Sequence, residues 1–167
     1  DYNTVMSYGN FQEFNKLADH FNEMVNNIRE RDEKFKKMAY LDSLTGLANR
    51  TYFREFLASL TQGQSAGEKS AILFLDLDNF KWINDTYGHS FGDQVLKAVS
   101  QKLVKCMKQE NFIARLGGDE FVLILVNVKN EEEVCEFLEH LMSEFRQPIL
   151  VNSYTLHSQM SIGIAMY

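Results

Sequence analysis

Proline is almost missing from this sequence: one residue, Pro148, in 167. That excludes a polyproline linker or a collagen-like chain and leaves room for long uninterrupted helices. Cysteine is scarce as well. Cys106 and Cys135 stand in helical patterns without metal-ligand spacing. A disulfide scaffold and a zinc-finger framework are thereby excluded, and two reduced, buried thiols are expected. Long apolar runs are missing: the longest, 71–75 and 121–126, fall far below the roughly 20 residues of a membrane-spanning helix. No signal peptide opens the chain, so any membrane anchor is expected outside it. Basic residues are in the minority, 17 against 23 acidic ones, and the net charge of -6 argues against a nucleic-acid surface.

What is present points to a folded globule. Apolar residues make up 45% of the chain, with 13 Phe and 7 Tyr, enough for one cored domain and an appendage. Residues 1–40 read as a helical stalk and 41–167 as the domain. In the stalk, apolar positions step by three and four: Phe14, Leu17, Phe21, Met24, Ile28, then Arg31 as a polar interruption, Phe35 and Met38. This is a heptad seam, too narrow for a lone helix to bury. Pairing with a second copy would cover it; folding back on its own globule is the alternative.

From Leu41 onward helix and strand alternate. Asn49 is placed to cap a helix with the apolar face Tyr52, Phe53, Phe56, Leu57 and Leu60. A loop is expected at 63–67, and a central strand at 71–78, apolar on both faces. A loop rich in Asn, Asp and Gly follows, then a helix from Gly92 or Asp93 burying Leu96, Val99, Leu103 and Met107. Strands 112–116 and 121–128 flank Gly117-Gly118, a two-residue hairpin signal. A helix burying Val134, Phe137, Leu138, Leu141, Met142 and Phe145 stops before Pro148. Short strands end with 160–165. The expected architecture is α+β, helices on a mostly antiparallel sheet.

Three stretches carry chemistry. Asp76 and Asp78 end an apolar strand two residues apart and so share a face. A hard cation would neutralise them; capping the next loop is the plainer reading. Next, Arg115-Leu116-Gly117-Gly118-Asp119-Glu120-Phe121 is a tight turn whose bare backbone admits a bulky ligand, with Asp119 and Glu120 starting the returning strand. Alone it reads equally as a solvated acidic turn. The third stretch, Phe80 to Asp93, holds Asn84 and Asp93, which can read the edge of guanine, and Lys81, which can meet a phosphate. It also holds His89, by itself a residue type that more often serves structural hydrogen bonds.

Together these stretches resemble one family. Asp42-Ser43-Leu44-Thr45-Gly46-Leu47-Ala48-Asn49-Arg50, the 74–93 stretch, Gly117-Gly118-Asp119-Glu120-Phe121 and Ser161-Ile162-Gly163-Ile164-Ala165 match, in order, the motifs of GGDEF domains of bacterial diguanylate cyclases. The resemblance implies a nucleotidyl-cyclase or polymerase-palm fold with a ferredoxin-like core. It implies condensation of two GTP into cyclic di-GMP with release of pyrophosphate. Asp76, the Leu77 carbonyl, Asp119 and Glu120 would hold Mg²⁺ or Mn²⁺. Asp119, Glu120 and Lys81 would be catalytic, with Asp119 as base. Asn84, His89, Asp93, Gly117 and Gly118 would bind GTP. Each domain holds one GTP, so two must face each other, as a homodimer joined through the N-terminal helix. Residues 17–28 resemble the last helix of a HAMP relay module, which implies the cytoplasmic part of a bacterial inner-membrane receptor.

Two departures stand out. The family's inhibitory Arg-x-x-Asp reads Lys108-Gln109-Glu110-Asn111 here, which predicts no product inhibition through that site. The family also continues past its late core strand with a helix and strand bearing basic triphosphate contacts, residues this chain does not include. An impaired domain that only binds GTP, as a regulatory module of a GGDEF-EAL protein, is the alternative.

Overall fold

The computed structural model describes residues 12–63 and 69–167. It divides the chain into two units, Asp1–Ala39 and Tyr40–Tyr167.

The first unit is built on α1 (Gln12–Tyr40), 29 residues long, about 44 Å at 1.5 Å per residue. No Pro or Gly interrupts it. Along the expected seam Phe14, Leu17, Met24, Phe35 and Met38 are exposed and Phe21 and Ile28 are half-buried; Ala18 and Val25, which are buried, lie beside that seam and not in it.

The second unit runs α2 (Arg50–Gly63), β1 (Lys69–Leu77), α3 (Phe80–Tyr87), α4 (His89–Cys106), β2 (Phe112–Gly117), β3 (Glu120–Val128), α5 (Glu131–Arg146), β4 (Ile149–Val151), β5 (Tyr154–Leu156) and β6 (Met160–Met166). The main sheet has the order β2-β3-β1-β6 with every neighbouring pair antiparallel. β4 and β5 form a separate hairpin.

Helices cover one face of the sheet and the β2–β3 part of the other; Phe74 and Asp76 are exposed on that second face, so β1 is not covered on both faces as the sequence predicts. On one face Ala71, Leu73, Leu75 and Leu77 of β1 pack with Phe121, Leu123 and Leu125 of β3 against α3, α4 and α5. On the other, Val122 and Ile124 meet Phe53, Phe56, Leu57 and Leu60 of α2. β3 is therefore buried on both sides, which explains why its sequence is continuously apolar rather than alternating. Each Leu or Ile buried this completely contributes about 1.5–3 kcal/mol.

Asn49 caps α2 as expected: its Oδ1 accepts from Tyr52 N at 3.0 Å. Asn130 caps α5 in the same way, accepting from Glu133 N.

Four further expectations are corrected. The stretch after β1 is helical, not a loop. Phe80 is buried and Ile83 packs on the core, and that anchoring overrides the turn propensity of the Asn and Asp residues. α4 starts at His89, one turn earlier than expected, because Gly88 at φ +85 breaks the chain between the two helices. Cys135 is exposed, next to buried Val134 on α5, while Cys106 is buried; a helix turns consecutive residues about 100° apart. Met142 is likewise exposed. The expected loop, beyond Gly63, lies outside the described residues.

Candidate functional site

The acidic centre is made where β1 ends beside the β2–β3 turn. Antiparallel register sets Asp76 of β1 opposite Glu120 of β3 and Ser161 of β6. The turn itself differs from expectation. Gly117 still pairs with Glu120, so the two turn residues are Gly118 and Asp119. Asp119 is thus at the tip and not on the strand. Gly118 has φ +53 and Gly117 φ +141, values that glycine adopts freely. A Cβ at either would meet nothing within 4 Å, so the turn's backbone is open to a ligand.

The carboxylates crowd one another. Partial burial, then the charges of Asp119, Glu120 and Asp78, push the Asp76 carboxyl above its ordinary range. Ser161 Oγ donates to Asp78 Oδ1 at 2.8 Å, so Asp78 is tied into the edge of the sheet. Leu77 ends β1 with its side chain buried. A cleft of about 580 Å³ opens here, lined by Arg50, Phe74, Asp76, Glu120, Ser161 and Gly163 among others.

Among the described residues, no group of three or more His, Cys, Asp or Glu is placed to hold a metal ion by itself. The donor set still fits a hard divalent cation. Mg²⁺ is commonly held by one or two carboxylates and completed by water and substrate phosphates, and Asp76, crowded by Asp119, Glu120 and Asp78, matches that chemistry.

Two arginines, whose roles the sequence did not disclose, hold the turn. Arg115 Nε and Nη2 both donate to the Gly118 carbonyl, at 2.9 and 2.7 Å. Its Nη1 donates to both Asp42 oxygens at 3.0 and 3.1 Å. Both side chains of this pair are largely buried. Thr45 donates to the same carboxylate through N at 2.9 Å and Oγ1 at 2.6 Å. Burial works to raise the Asp42 pKa, but the Thr45 and Arg115 contacts outweigh it and hold the carboxyl below its usual range. Arg50 Nε donates to the Leu116 carbonyl at 3.1 Å, and its Nη2 approaches Glu120 Oε2 at 3.4 Å. The signals were an Asp-x-x-Thr turn and an Arg in the hairpin stem.

The remaining expected residues gather at a second place, the corner between α3 and α4. Lys81 is exposed in the first turn of α3, and Asn84 is half-buried one turn on. His89 is exposed at the start of α4, and Asp93 is exposed one turn on. Gly88 N donates to the Asn84 carbonyl at 2.9 Å, closing the corner. Rings brace it from outside. Tyr87 lies 4.9 Å from Phe91 and 5.7 Å from Tyr154, and Tyr154 lies 5.5 Å from Phe91. The Asp78-Asn79 turn connects the corner to the acidic centre, with Asn79 left-handed at φ +62.

At the former inhibitory position, Lys108 pairs with Glu133 at 3.5 Å. Asn111 Oδ1 accepts from Val126 N at 3.1 Å.

Comparison with known proteins agrees with this architecture. Residues 39–167 match the family model described as "Diguanylate cyclase, GGDEF domain". The diguanylate cyclase DgcN of Escherichia coli is 39% identical over 92% of this chain and 38% of its own length. The cyclic di-GMP phosphodiesterase NbdA of Pseudomonas aeruginosa is 37% identical over 87% of this chain and 19% of its own. The chain therefore spans well under half the length of these curated relatives. The coiled coil and GGDEF domain of DgcB from Caulobacter crescentus, solved in complex with c-di-GMP, superposes with a TM-score of 0.79 at 30% identity. It covers 91% of this chain and 81% of that one. The fold, the acidic strand end and the open glycine turn are those of a single family: the chain belongs to the GGDEF domains, the family of the diguanylate cyclases.

Proposed function

We propose that residues 41–167 form an active diguanylate cyclase domain, joining two GTP into cyclic di-GMP, and that residues 1–40 are its dimerising stalk. The observation that carries this reading is Asp76 opposite Glu120 beneath the open Gly118-Asp119 turn, with acids crowded enough to raise the Asp76 carboxyl. Impaired domains would have no reason to keep that unfavourable cluster.

In the proposed reaction, the 3′-hydroxyl oxygen of one GTP bonds to the α-phosphorus of the other. The bond from that phosphorus to the pyrophosphate oxygen breaks, and pyrophosphate leaves. Asp119, at the turn tip, takes the hydroxyl proton, with Glu120 beside it. Asn84, Asp93 and His89 orient the guanine nucleotide, Gly117 and Gly118 give the phosphates room, and Lys81 offsets their charge. Asp76, Asp119, Glu120 and the Leu77 carbonyl would hold Mg²⁺ or Mn²⁺, which supplies charge neutralisation at the transferring phosphoryl group. The second step repeats the first from the partner's side, so two domains must face each other.

The exposed Leu17, Met24, Phe35 and Met38 of α1 support a stalk that brings two copies together. The resemblance of residues 17–28 to a HAMP helix would suit a parent chain anchored at the bacterial inner membrane, with this part on the cytoplasmic side. Among the described residues no helix is long and apolar enough to cross a membrane.

The test is GTP turnover with Mg²⁺, nucleotides resolved by chromatography. Cyclic di-GMP that disappears in Asp119→Ala is the expected result. GTP binding without product would favour the second reading, a regulatory GGDEF domain, which the likeness to a phosphodiesterase also suits. Product titration is a second check. Lys108 and Asn111 are engaged within the chain, so low micromolar cyclic di-GMP should leave the rate unchanged; strong inhibition would contradict this.

A further inference from the structure

Gly92 is buried inside the first turn of α4, in ordinary helical conformation. Its backbone does not call for glycine, and glycine inside a helix costs about 1 kcal/mol relative to alanine. Something else must use the missing side chain. A Cβ on Gly92 would overlap Asn84 Oδ1 and come within 3.0 Å of Asn84 Cγ and 3.2 Å of Phe80 Cζ. The Asn84 carboxamide therefore rests directly on the bare Cα of Gly92. The buried Phe80 ring lies against the same spot.

The surroundings are fixed. Phe91 N and Gly92 N both point to the Gly88 carbonyl, at 3.1 and 3.2 Å, and Gly88 N holds the Asn84 carbonyl. The nearest obstacle to a methyl group at Gly92 is the movable end of a side chain, not backbone. The helices would stay and the amide would turn away.

We propose that Gly92 is a positioning residue: it seats the Asn84 carboxamide in the orientation that reads a guanine edge and so sets the preference for guanine over adenine. An amide discriminates only while its donor and acceptor ends are held in place. This rests on the GTP-binding reading above.

The experiment is a double-mutant cycle on the intact protein with Gly92→Ala, Asn84→Ala and the pair. Affinity for GTP and ATP is measured by calorimetry, and the Asn84 side-chain amide is followed by NMR in wild type and Gly92→Ala. Each single variant should weaken GTP binding about tenfold with little change for ATP. The pair should lose no more than either alone, and the Asn84 amide resonances should move in Gly92→Ala. The inference is overturned by Gly92→Ala binding GTP as wild type does, by losses that multiply in the pair, or by an unmoved Asn84 amide. If wild type itself binds no guanine nucleotide, the cyclase reading falls and takes the guanine role of the seat with it. That outcome is distinct from a wild type that binds GTP and a variant that binds it equally.

Discussion

The acidic turn and the α3–α4 corner are held by opposite means. At the turn, charge does the holding. Arg115 spans the Asp42 carboxylate and the Gly118 carbonyl, and Arg50 spans Leu116 and Glu120. At the corner, shape does it: three rings outside and a glycine within. The difference follows from what each place must do. A turn made of Gly118 and the tip residue Asp119 has no apolar side chain to pack, so directed hydrogen bonds fix its backbone. A corner proposed to read a base needs a rigid wall, and aromatic packing supplies one.

Breaking the charged side should have the larger effect. Arg115→Ala leaves the largely buried Asp42 without its cation and frees the Gly118 carbonyl. We expect a stability loss of about 2 kcal/mol, below the full cost of opening a fully buried pair. Turnover should fall on the order of 100-fold through misplacement of Asp119. Arg115→Lys should not restore it, because an ammonium cannot fork between the two partners. Thermal melting and turnover of the two variants check this.

Breaking the packed side should do less. Tyr154→Ala removes two ring contacts worth about 1 kcal/mol together. The KM for GTP should rise about fivefold while kcat stays within about twofold. Tyr154→Phe should behave as wild type. Steady-state kinetics decide, and an equal loss of kcat would mean the rings support the acidic centre as well.

The smallest expected effect separates the two by pH. The Asp42 carboxyl is held below its ordinary value of 3.8. A lowered folded pKa adds stability that is present above 3.8 and is lost as the pH falls from there through the lowered value. Asp42→Asn should therefore be less stable at neutral pH yet lose stability less steeply on acidification in that window. Tyr154→Ala should keep the wild-type acid dependence. Melting temperatures across the acid range test both.

Much of the acidic centre was legible in the sequence because its parts are local. An apolar strand running into Asp76-Leu77-Asp78 and a glycine-marked hairpin announce themselves within a few residues, although the turn falls on Gly118-Asp119, one residue later than the Gly117-Gly118 expected. The braces were not legible. Asp42 and Arg115 are 73 residues apart, and Arg50 and Glu120 are 70 apart; only the fold brings them together. α3 was hidden for another reason. Its Asn and Asp residues have turn propensity, and the helix exists because Phe80 and Ile83 reach the core and a left-handed Asn79 turns strand directly into helix. Cys135 shows the finer limit: periodicity put Val134 on the buried face, and a neighbour about 100° away could not share it.

The position of β1 between β3 and β6 also dictates an order of events in time. Ser161 and Asp78 are joined across 83 residues of chain. Closing so long a loop is entropically unfavourable until the intervening elements have condensed. β1 emerges early from the ribosome but cannot acquire its second neighbour until β6 has been made. During synthesis the acidic end of β1 therefore waits with one edge unpaired. The cleft at β1, β3 and β6 is one of the last parts of the domain to assemble, so the site proposed for nucleotide is incomplete in a nascent chain until β6 has been made.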